Sequence, residues 1–178
     1  MRDERPECPK VESPMTATTG LCSRLASASS NPCDIETEAP ISYNLLCKRV
    51  LRACNIARMG PRISACLNSM IRGIRPRCTS GSFITYWRND QDPDSYPHIR
   101  VSNERDASDI PPRETCNAAL RILEEQGAQP VESLIHEMAR LFGYNRVGDI
   151  VNAAMQEGVA LAKEKGLIEE ANKKVRVV

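Results

Sequence analysis

Nine basic residues, Lys48, Arg49, Arg52, Arg58, Arg62, Arg72, Arg75, Arg77 and Arg88, fall between positions 40 and 88, and no Asp or Glu interrupts them. Guanidinium groups donate bidentately to phosphates and to guanine edges. A run of this kind attracts a polyanion and predicts binding that weakens as salt rises. On a helix over 62–74, Arg62, Asn68, Ser69 and Arg72 lie away from much of the apolar stripe, and Arg75 and Arg77 follow at its end. Asn68 adds a side chain that can pair with adenine. The candidate DNA-binding residues are therefore Arg58, Arg62, Asn68, Arg72, Arg75 and Arg77, with Lys173, Lys174 and Arg176 near the C-terminus as further phosphate contacts. Glu169 and Glu170 stand against that second group. A solvated or protein-facing Arg-rich surface is the competing reading, because residues 89–112 hold two basic and six acidic side chains that could neutralise the basic segment in cis. Tyr86 and Trp87 could stack on bases or pack beneath a hairpin, and packing is the reading their context favours.

No catalytic constellation accompanies these residues, so the chain reads as a binding module and not an enzyme. It has no G-x-x-x-x-G-K-[ST] loop, no G-x-G-x-x-G and no H-E-x-x-H. His136 falls mid-helix beside Glu132, Glu137 and Arg140, where a surface or packed histidine is expected, and His98 follows Pro97 in a turn. Asp90, Asp92 and Asp94 alternate as in a calcium loop but lack the glycine and distal glutamate that such a loop needs. The eight cysteines, at 8, 22, 33, 47, 54, 66, 78 and 116, include no C-x-x-C pair, so a zinc site is not expected. They read as reduced thiols, with Cys47, Cys54, Cys66 and Cys116 serving as small core hydrophobes. No cofactor or small-molecule ligand is implied. The opening Met-Arg-Asp-Glu-Arg-Pro-Glu carries no apolar stretch of a secretory signal, and no apolar run approaches the length of a membrane span, so a cytoplasmic protein is expected.

The elements that must position the arginines follow from hydrophobic period. Residues 1–39, rich in Ser, Thr, Pro and Ala with a net charge of −3, read as a disordered leader. Leu45, Leu46, Val50, Leu51 and Cys54 share one face of a helix over about 43–54, with Ser42 as its N-cap. Ile63, Cys66, Leu67, Met70, Ile71 and Ile74 stripe a helix over about 62–74. Residues 83–87 read as a strand, 89–94 as a turn and 99–101 as the returning strand. Three more helices are predicted over about 113–126, 131–142 and 147–165, then a short hairpin over 167–178. This is a mostly α chain with small β-hairpins, in the α+β class.

The halves repeat one order: Pro40-Ile41 or Pro130-Val131, a helix, an Asn-bearing turn with Arg58-x-Gly60 or Arg146-x-Gly148, a second helix and a hairpin. Aligned on the prolines, the halves differ by two residues in length before the arginine. Helix, turn, helix and hairpin is the order of a winged helix-turn-helix, in which one helix lies in the major groove and the hairpin touches the backbone. The expected organisation is a leader (1–39), a first winged-helix-like unit over 40–103 that lacks a clear leading helix, and a second over 104–178.

The stretches Pro40 to Ser42, Leu46 to Cys54 and Ala57 to Ile63 resemble a C-terminal domain of unknown function, family 3320, found in large bacterial superfamily 1 helicase-like proteins. The resemblance runs on through Trp87, Asp90 to Pro93, Arg105 to Ala107, Ile110 to Pro112, Leu134-Ile135 and Leu141 to Gly148, about 40–165 in all. It implies a nucleic-acid-associated accessory module without the helicase core or the restriction-endonuclease-like domain of the larger relatives. Residues 1–39 depart from the family's upstream sequence, as a truncated or rearranged gene remnant would. The function expected is DNA binding by phosphate-driven docking with little sequence preference. The alternative is a protein-interaction or structural module that packs against a helicase-like or nuclease-like partner. A weaker third possibility is a subunit completing another chain's active site.

Overall fold

The computed structural model describes residues 37–74, 77–79, 84–101 and 105–178. The leader expected over 1–39 falls almost wholly outside them. The fold is mixed α+β, helices with small antiparallel sheets, and it divides into two compact units between Gln91 and Asp92.

The first unit runs β1 (Ile41–Ser42), α1 (Tyr43–Ala53), α2 (Pro61–Ile74), β2 (Arg77–Thr79) and β3 (Thr85–Trp87). Ser42 starts α1: its backbone is extended and its buried Oγ accepts from the Leu45 N–H at 3.0 Å. Ser42→Ala removes that acceptor and is expected to cost about 1 kcal/mol, read as a lower urea midpoint followed by the fluorescence of Trp87. Helix α1 ends on Asn55, which takes a positive φ of 58°. The Asn55 N–H donates to the Arg52 carbonyl and the Ile56 N–H to the Leu51 carbonyl, so the last turn is closed by a Schellman motif. Leu45, Leu46, Cys47 and Val50 of α1 are buried with Cys66, Leu67 and Ile71 of α2, as the helical period predicts.

The sheet order in this unit is β1-β3-β2, with Ile41 opposite Tyr86 and Cys78 opposite Tyr86 on the other side. The strand predicted at 83–87 therefore exists in part, but its partners are not residues 99–101. Ile99 to Val101 form no strand: the Arg100 N–H goes to the Glu114 carboxylate instead, at 3.1 Å. Trp87 is 1% exposed and its indole N–H donates to Thr79 Oγ1 at 2.9 Å, while Tyr86 packs edge-on to Tyr43. Both rings are structural, as the packing reading expected.

The second unit begins at Asp92, earlier than the expected boundary at 103, because residues 96–100 are bound to its first helix. It continues through a 3-10 turn (Ala107–Asp109), α3 (Pro112–Gln126), α4 (Val131–Leu141), α5 (Asp149–Glu164), β4 (Ile168–Ala171) and β5 (Lys174–Val177). Asn117 Nδ2 donates to the Tyr96 carbonyl at 2.7 Å and Arg113 Nε to the same oxygen at 3.2 Å. Cys116, Ala119, Leu123, Leu134, Ile135, Met138, Met155, Val159 and Val175 build the core. Gln129 exchanges both backbone bonds with Val175, so the last strand also reaches back to the residue before the N-cap of α4.

The internal repeat is stricter in the structure than on the proline alignment. An offset of 88 residues carries α1 onto α4, Asn55 onto Gly143 and the start of α2 onto the start of α5. Helix α4 ends on the same pair of bonds as α1, Gly143 N–H to Arg140 and Tyr144 N–H to Ala139, with φ 88° at Gly143. The same offset carries Ile41, paired with β3, onto Gln129, paired with β5. No length difference remains, because Pro130 is the N-cap of α4 and matches Ser42, not Pro40.

The cysteine reading needs one correction. Cys47, Cys54, Cys78 and Cys116 are free, and burial pushes the thiols of Cys47, Cys54 and Cys116 above their ordinary pKa, which suits packing and not nucleophilic work. Cys66 is buried as expected but disulfide-bonded, with its partner outside the described residues. The expectation that all the cysteines are reduced thiols fails at this residue.

Candidate nucleic-acid interface

Helix α2 turns its apolar side to α1 and leaves Arg62, Ala65, Ser69 and Arg72 exposed. Their spacing of three, four and three residues is one line along the helix, since side chains three and four apart are neighbours. Arg58 is exposed in the turn before it. These three arginines stand where the sequence placed them. Asn68 does not join them: it is half-buried beside Tyr43, whose hydroxyl it and Ser64 flank. It is held in the α1–α2 contact, not presented to a base. Arg75 lies outside the described residues, and so does the side chain of Arg77, whose backbone opens β2.

Ion pairs within the unit engage part of the basic segment. Arg49 pairs with Glu38, and Arg88 pairs with Asp90 at 3.0 Å. Asp90, where the acidic stretch begins, thus takes Arg88 at the end of the basic segment. Asp92 is spent on a turn, accepting from the Asp94 N–H and the Ser95 hydroxyl, and Asp94 pairs with Lys165. Among the described residues no cluster of His, Cys, Asp or Glu could hold a metal.

In the second unit, Asn172 and Lys173 both take positive φ, 53° and 61°, and form the tip of the β4–β5 hairpin. Lys173 and Lys174 are exposed there. Arg176 is held across the hairpin by Glu169 at 2.5 Å, which lowers its availability to a phosphate. Helix α5 carries no cation on the face equivalent to the arginine line of α2: the offset of 88 puts Ile150, Ala153, Glu157 and Ala160 there, and Ile150 is 67% exposed.

Three side chains were passed over in the sequence reading of this surface. Lys48 and Arg52 are exposed one turn apart on α1, and their i, i+4 spacing was the available signal. Arg146 is exposed in the turn before α5, and the Arg-x-Gly pair of the repeat pointed to it.

The arrangement defines a small α+β protein whose repeated element is a pair of helices joined by a capped turn and closed by a hairpin. Residues 35–65, which span β1, α1 and the start of α2, match the model of the family described as Protein of unknown function (DUF3320). No curated protein and no solved structure matches the chain. No helix among the described residues is long and apolar enough to cross a membrane.

Proposed function

We propose that the chain is a DNA-binding accessory module built of two winged helix-turn-helix units, the first of which carries the main contact surface. What supports the reading is the exposed line of Arg62, Ala65, Ser69 and Arg72 on the second helix of a capped helical pair. In a winged helix that helix enters the major groove. The sheet order supports the same reading, because the last strand of the hairpin pairs with β1 before the helical pair in the first unit and bridges to Gln129 before the pair in the second. Arg58 from the turn adds a phosphate contact, and Lys173 and Lys174 at the second hairpin tip are placed for another.

The full chain is expected to bind a labelled duplex, followed by fluorescence anisotropy, with affinity that falls steeply from low to physiological salt. A folded R62A/R72A variant is expected to lose about tenfold at the lower salt, in line with two lost charge-assisted contacts. If the folded wild-type chain binds neither duplex nor single strand at low salt, the proposal fails. A second reading, docking to a helicase-like or nuclease-like protein, is favoured by the exposed Ile150 on the uncharged face of α5.

A further inference from the structure

We propose that the second unit also contacts duplex DNA, through a phosphate contact at Arg146, the structural counterpart of Arg58; this rests on the DNA-binding reading above. The seven residues between α1 and α2, 54–60, and the seven between α4 and α5, 142–148, are built alike. Each begins with a Schellman closure on a residue of positive φ, and each ends in glycine, Gly60 or Gly148. The arginine falls five residues past the first helix in both, so Arg58 and Arg146 hold one position relative to their own helical pairs.

The other arginines of the second unit single Arg146 out. Arg100 and Arg105 are bound to Glu114, Arg113 to the Tyr96 carbonyl, Arg121 to Glu125, Arg140 to Glu137 and Arg176 to Glu169. Arg146 is exposed and takes part in no ion pair among the described residues. An unneutralised guanidinium in a unit that has matched each of its other arginines to an acceptor calls for an external anion, and phosphate suits its fork geometry. The face of α5 carries Ile150 and Ala160 where α2 carries Arg62 and Arg72, so this unit holds the backbone without reading bases.

The test is duplex titration of the full chain at several salt concentrations with R146A, R146K and R121A, each shown folded by circular dichroism. R146A is expected to weaken binding about three- to tenfold at low salt, equally on duplexes of unrelated sequence, and to reduce the salt slope by about 0.9. R146K is expected to keep most of the affinity, and R121A, which removes the same formal charge from an arginine engaged with Glu125, to bind like wild type. Equal losses for R121A and R146A would mean a general charge effect and overturn the contact. An R146A chain that binds like wild type overturns it as well and leaves the first unit's role standing. A wild-type chain that binds no duplex removes both.

Discussion

Replacing Gly158 with alanine is expected to destabilise the second unit by about 2–3 kcal/mol, the range of overpacked cores, although alanine is the better helix former by about 1 kcal/mol. The sign is decided by what the added methyl would meet. A Cβ on Gly158 would lie 2.3 Å from Thr115 Oγ1 and 2.6 Å from the Thr115 carbonyl carbon. Both Gly158 and Thr115 are buried, at the place where α5 crosses α3. Swinging Thr115 away would break the bond that its hydroxyl donates to the Pro112 carbonyl at 3.0 Å. Since one of the clashing atoms is backbone, trimming Thr115 to alanine alongside G158A is expected to restore little. Urea unfolding followed by circular dichroism, with hydrogen exchange over 112–126 and 149–164, measures this. A G158A chain as stable as wild type would mean that α3 and α5 do not approach as closely as the structure has them.

That glycine shows where sequence reading stops. The apolar stripe of α5 was legible, because Met155, Val159 and Ala162 recur at helical spacing and are all buried. The stripe also contained the signal for Gly158, since glycine inside a helix is kept for a packing reason. Which residue it faces depends on α3, about forty positions earlier, and no local pattern encodes that. The helices and the Ser42 cap were legible because each rests on neighbours within a few residues. The sheet of the first unit was not, because Arg77-Cys78-Thr79 is only three residues long, too short for its alternation to announce a strand. Its pairing with Thr85 to Trp87 is what makes it one.

The candidate surface divides the same way. Arg62 and Arg72 were found from helical phase and Arg58 from the run of basic residues, and phase sufficed for the first two because exposure on a surface helix is a local property. Asn68 was misjudged because phase placed it near the edge of the polar side, where Tyr43 of α1 decides its environment. Arg146 was passed over because the turn was read as a boundary and not as a surface. The cancellation of charge was equally invisible: Arg113, Arg121 and Arg146 look alike in the sequence, and only the fold shows which two are already engaged.

Neutralising Glu114 is expected to have the largest effect of any single change, a loss of about 3–5 kcal/mol for Glu114→Gln, the cost of stranding a buried charge. The carboxylate is fully buried and accepts five bonds. Oε1 receives Arg100 Nε at 3.2 Å, Arg100 Nη2 at 2.9 Å and Arg105 Nη2 at 3.1 Å, while Oε2 receives Arg105 Nη1 at 2.9 Å and the Arg100 N–H at 3.1 Å. Arg105 is itself only 8% exposed, and its Nη1 and Nη2 also donate to the Arg100 and Asp109 carbonyls. Glutamine keeps the shape but removes the counter-charge and turns an NH2 group toward guanidinium donors. Arg105 is then left in the interior without an anion, which is the costly state of a broken buried pair. The pair itself need not be stabilising, since apolar groups of similar volume often serve as well. A chain carrying both E114M and R105M is therefore expected to recover more than half of what E114Q loses, despite lacking the bond to the Arg100 N–H. Urea midpoints for wild type, E114M, R105M and the double variant close this cycle, with E114Q measured beside them. If E114Q unfolds with wild type, or if the double variant is no more stable than E114Q, the buried charge is not what anchors Arg100 and Arg105 to α3.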